Sequence, residues 1–81
     1  MAKTEWYATT KLKELREDRG YTQKEMADLI SLALGRSISE SLYQKWEQGV
    51  QNLLPEQVLE LSKYFRIDYK EIVEQRNDVL A

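Results

Sequence analysis

The apolar positions of the chain fall into five helix-spaced groups. Ala8, Leu12 and Leu15 share one face of a helix over about residues 8–19, which Gly20 ends as a left-handed residue. Trp6 and Tyr7 stand before it and either extend that helix or fold back on it. Met26, Leu29, Ile30, Ala33 and Leu34 stand at i, i+3, i+4, i+7 and i+8, an unbroken helical stripe. They predict a second helix from Gln23 to Leu34, stopped by Gly35. A third helix over about 40–48 carries Leu42, Tyr43 and Trp46 and closes at Gly49. Val58, Leu61 and Phe65 mark a fourth over about 55–65, and Ile72 and Val73 face inward from a fifth over about 69–76. The tail 77–81 is expected to fray, with Val79 and Leu80 apolar enough to pack on a partner.

Helix-start signals support these boundaries. Thr22-Gln23-Lys24-Glu25 is a capping box: the hydroxyl takes the amide of the third helical residue, and the glutamate returns to the cap amide. Tyr21 and Met26 flank it as a hydrophobic staple. Asp68 and Glu71 repeat the box, with Ile67 and Ile72 as the staple. Pro55 suits a first helical turn, where its missing N–H is not needed. Arg36 and Ser37 form the joint between helices 2 and 3, and Ile38 is an apolar anchor. Ser39 is the preferred cap of helix 3, although Ser37-x-x-Glu40 also fits a capping box.

Composition narrows the chemistry. Eighty-one residues make one small domain, which buries roughly 60–65% of the surface its unfolded chain exposes. With no cysteine and no histidine, disulfides, thiolate or imidazole metal sites and nucleophile–histidine pairs are excluded. The scattered carboxylates lack the pocket and partners that acid–base catalysis needs, so no enzyme, metal, cofactor or small-molecule site is expected. Three glycines and one proline favour helices with short joints. No apolar run approaches a membrane span and no signal-peptide pattern opens the chain, so a soluble, cytoplasmic protein is expected. Net charge is −2; residues 1–52 balance eight basic against eight acidic groups, and the excess of acid lies beyond them. That balance counts against strong non-specific binding to nucleic acid.

The order of motifs resembles the lambda-repressor-like helix-turn-helix family, also called the XRE or Cro/cI type. L-K-E-L-R-E-D-R-G-Y-T-Q-K-E-M-A is similar to the family's first helix and the start of its second. S-E-S-L-Y-Q-K-W-E-Q-G resembles its recognition helix, and L-P-E-Q-V-L-E-L-S-K-Y-F-R-I-D-Y-K-E-I-V its two closing helices. The resemblance implies an all-α, five-helix DNA-binding domain whose helix-turn-helix unit spans about 22–49. Between Ala27 and Glu47 the chain is longer than the family pattern by about six residues, which as helix add ~9 Å to helix 2.

By that resemblance, base edges are read from the start of helix 3, by Glu40, Ser41, Gln44 and Lys45. These positions form one stripe, with Leu42, Tyr43 and Trp46 mainly off it. Gln44 can pair with adenine, Lys45 can donate to guanine, Glu40 can accept from cytosine, and Ser41 does either. Thr22, Gln23 and Lys24 are expected at phosphates, beside the open amides of helix 2. Gln51 and Asn52, after helix 3, are further backbone contacts. Arg36 either reaches phosphates or caps carbonyls at Leu34. Arg16 and Glu47 match the family's internal ion pair, a structural role. The aromatics Trp6, Tyr43, Trp46, Tyr64 and Phe65 are expected to pack rather than to stack on bases.

The function implied is a sequence-specific transcriptional regulator, bacterial, phage or from a mobile element. It would bind double-stranded DNA as a homodimer on two half-sites, with helix 3 in the major groove. Helix 5 and the tail, with Val73, Val79 and Leu80, are the expected dimer surface. The alternative is a protein-interaction module that keeps the fold, such as an antitoxin or anti-repressor. It is suggested by the near-neutral charge and by Glu40 at the docking tip. A face dominated by Glu25, Asp28 and Glu40 would favour that protein partner.

Overall fold

The computed structural model describes residues 3–78. The element order is β1 (Lys3–Ala8), α1 (Thr10–Asp18), α2 (Gln23–Leu34), α3 (Glu40–Gln48), α4 (Pro55–Phe65), α5 (Tyr69–Ile72) and β2 (Val73–Asp78). The chain is mostly helical, but the all-α expectation is corrected. β1 and β2 pair antiparallel, from Lys3 opposite Asp78 to Ala8 opposite Val73. The physical reason lies in Trp6 and Tyr7, aromatic residues that suit a pleated, half-buried surface.

The sheet also resets two helix boundaries. Trp6, Tyr7 and Ala8 belong to β1, so α1 starts at Thr10 rather than near residue 8. Thr9 caps it, its hydroxyl accepting from the Lys11 amide at 3.3 Å. The Thr9 amide also donates to the Ile72 carbonyl at 2.8 Å, which draws that carbonyl out of the fifth helix. α5 is therefore a single turn, and residues 73–76 are strand instead of helix. Val73 is only 2% exposed, so it cannot serve a dimer surface; it packs inward. Of the tail expected to fray, Asn77 and Asp78 lie in β2, and 79–81 lie outside the described residues.

Every helix sends at least one fully buried apolar side chain into a common core: Leu12, Met26, Ile30, Tyr43, Trp46, Leu61 and Ile72. Each such side chain stabilises the fold by about 1.5–3 kcal/mol relative to exposure. The stripe on α2 narrows towards its end. Ile30 is buried, Leu29 and Leu34 are half-buried, and Ala33 is exposed, contrary to its place in the pattern. Ile38, beyond the joint, supplies the missing cover at 6% exposure. Tyr43, Trp46 and Phe65 are buried, which removes them as a stacking platform. No helix among the described residues is long and apolar enough to cross a membrane.

Candidate nucleic-acid interface

The α2–joint–α3 unit is held by local hydrogen bonds at each end. Thr22 Oγ1 accepts from the Glu25 amide at 3.1 Å, and the Glu25 carboxylate accepts from the Thr22 amide at 2.8 Å. At the other end Gly35 adopts φ 68°, a region that L side chains enter only at a cost. Its amide returns to the Leu32 carbonyl, and the Arg36 amide to that of Ser31. α3 begins at Ser39, whose hydroxyl accepts from the Leu42 amide at 3.0 Å. Ser39, not Ser37, is thus the cap.

Ser31 was not singled out by the sequence pattern, yet it fastens the joint. Its hydroxyl donates to the Ala27 carbonyl at 2.7 Å and accepts from the Ile38 amide at 2.8 Å. A small polar residue near the glycine stop of an otherwise apolar helix was the available signal.

Beneath the unit, Arg16 joins α1 to α3 and to the turn before α2. Its Nε and Nη2 donate to the two Glu47 carboxylate oxygens at 2.6 and 3.1 Å, and its Nη1 to the Tyr21 carbonyl at 2.7 Å. The pair is bidentate, and the side chains are 9% and 3% exposed. Burial alone would push the Glu47 carboxyl up. Hydrogen bonds from Arg16 and Gln23, with the Arg16 charge, outweigh it and hold the group below its ordinary value. The hydrogen bond to Glu47 raises Arg16 in turn, so the ion pair stays charged. Burial, first, and then the neighbouring carboxylate push the Tyr43 hydroxyl well above its usual range.

The candidate contact residues divide by partner. Gln23 donates its side-chain amide to Glu47 at 3.0 Å, so it stands beside α3 and joins the ion-pair network. Lys24 pairs with Asp28 one turn on, at 3.6 Å. Glu40 accepts from Gln44 along the exposed side of α3, at 3.4 Å. Ser41 and Lys45 are exposed, with no side-chain partner among the described residues. Gln51 donates to its neighbour Asn52, and both are half-buried. Arg36 pairs with Glu56 of α4 at 3.0 Å, with both side chains well exposed. Glu25 is occupied by the Thr22 cap. Lys24, Arg36 and Lys45 stand against Glu25, Asp28, Glu40 and Glu56 in this region, so its surface is close to neutral.

The family model described as helix-turn-helix matches residues 12–72, three-quarters of the chain and all five helices but the first two residues of α1. The chain belongs to this family, of the lambda-repressor-like or XRE type, a family of DNA-binding domains. No curated protein and no solved structure matches it. β1 and β2 both lie outside the matched span.

Proposed function

We propose that the chain is a sequence-specific DNA-binding transcriptional regulator that lays α3 in the major groove and binds two half-sites as a dimer. One observation carries this reading in a chain of this family. α3 is locked on its inner side by Tyr43, Trp46 and the Arg16–Glu47 pair, while Glu40, Ser41, Gln44 and Lys45 remain on its outward side. Gln44 and Lys45 read bases, and Thr22, Gln23, Lys24, Arg36, Gln51 and Asn52 hold phosphates. Lys24 and Arg36 exchange Asp28 and Glu56 for phosphate oxygens as the duplex arrives, because exposed ion pairs are weak.

The second reading is a protein-interaction module on the same fold. Asp28, Glu40 and Glu56, which occupy three candidate contact side chains, favour it. Selection from random duplexes at low and moderate salt separates the two. The regulator reading expects an enriched motif, and expects Gln44→Ala and Lys45→Ala each to weaken binding to it about tenfold or more. Absence of both an enriched motif and any salt-dependent shift would sink it.

A further inference from the structure

We infer that the terminal sheet positions the reading surface, with Arg76 as the residue that fixes the loop after α3; this rests on reading α3 as the recognition helix. The loop from Gly49 to Leu54 carries Gln51 and Asn52 and joins α3 to α4. It is gripped at both ends by the sheet. Arg76 of β2 donates from Nη1 to the Gly49 carbonyl at 2.9 Å. Trp6 of β1 offers its carbonyl to the Leu53 amide at 2.8 Å.

The Arg76 guanidinium, on a side chain 45% exposed, has two further contacts. Its Nε donates to Glu74 at 3.0 Å, and its plane lies 4.5 Å from the centre of the Tyr7 ring. Only a fork of donors on a flat cation meets a carboxylate, a carbonyl and a ring face together. The approach is close enough to constrain the other side. Gly49 stands at φ 74°, and a Cβ there would meet Arg76 Nη2 at 3.3 Å. The carbonyl that Arg76 holds is the one directly after the last turn of α3. The Gly49 and Val50 amides already tie back to Trp46 and Lys45 there. Fixing that peptide removes freedom from the loop before DNA arrives, so less order has to be gained on binding. Both grips come from strands outside the span that the family model matches.

The test uses the full chain with Arg76→Ala and Arg76→Lys. Backbone amide exchange is read at Val50 and Leu53 without DNA. Affinity is read on the duplex enriched by the unaltered protein, well below every variant's melting temperature. Losing this exposed hydrogen bond is expected to speed exchange at those two amides about threefold to fivefold and weaken binding by a similar factor. Amides of α2 should change less than about twofold, because local opening need not involve the core. Lysine, which keeps the charge without the fork, should restore part of both effects. If alanine prevents folding, lysine carries the same comparison. Unchanged exchange at Val50 and Leu53 overturns the grip. Faster exchange with unaltered affinity overturns the positioning role, and uniformly faster exchange replaces it with plain stabilisation. If the unaltered protein enriches no duplex, the recognition reading fails, while the exchange measurement still decides whether Arg76 holds the loop.

Discussion

Arg16 and Arg36 are both arginines paired with a glutamate, and their surroundings give them opposite weight. Arg16 and Glu47 are nearly closed to water, so removing one strands the other, at a cost of about 3–5 kcal/mol. Arg36 is 62% exposed and its pair with Glu56 is worth about 0–1 kcal/mol. In a domain of this size 1 kcal/mol moves the melting temperature by about 4–8 °C. Arg16→Ala should therefore melt at least about 10 °C lower, and Arg36→Ala within about 5 °C of the unaltered protein. Equal melting temperatures for the two would defeat this assignment. Glu47 also sets a pH dependence. Its folded carboxyl lies below the ordinary 4.5, so its contribution is complete above that value and is lost as pH falls through the lower folded one. Stability measured against pH should show a shallower acid limb in Glu47→Gln. An identical limb in the variant would assign the acid sensitivity to other carboxylates.

At the scale of elements, the α2–α3 joint was legible because its determinants are local. Thr22 with Glu25, the Gly35 stop, the Ser39 cap and the Gly49 stop all act within four residues, and α2 and α3 end where that grammar places them. The sheet was not legible, because Ala8 and Val73 pair across the length of the helical body and nothing near either residue encodes the other. Reading Ala8 as a helix start and Val73 as a helix face followed from periodicity in segments too short to distinguish helix from strand, and the same shortness left Trp6 and Tyr7 open between extending that helix and folding back on it. The candidate site shows the same division. Its residue types and the Lys24–Asp28 spacing are visible in sequence, whereas the Arg36–Glu56 pair depends on how α4 packs. Ser31 belongs to the joint itself. Ser31→Ala would leave the Ile38 amide without its acceptor, which costs about 1–3 kcal/mol. Chemical denaturation should show the midpoint falling accordingly with an unchanged slope. A loss under about 0.5 kcal/mol would place the joint's stability elsewhere.

For the whole molecule, net charge is −2, and the cations proposed to meet DNA are Lys24, Arg36 and Lys45. Each phosphate neutralised contributes about −0.9 to the slope of log affinity against log salt, so Lys24 and Arg36 on one reading head give about −2 and a pair of heads about −4, with Lys45 on a base edge adding at most about −1 per head. Titration across salt should find a slope no steeper than about −6. A steeper one would mean that cations outside these three dominate binding. The paired strands have a consequence of another kind. They bring residue 3 beside residue 78, so the folded backbone closes into a ring with no covalent link across the clasp. The entropy lost in closing a ring grows only with the logarithm of its length, so a clasp across the whole chain is scarcely costlier than one across half of it. The hydrogen bond from the Thr9 amide to the Ile72 carbonyl carries that clasp on to the start of α1 and the end of α5. The two tryptophans sit on either side of it. Trp6 is on the clasp, edge-on to Tyr69 at 5.4 Å, and Trp46 is sealed in the body. Their fluorescence gives the molecule one indole that reports on the ring and another that reports on what the ring encloses.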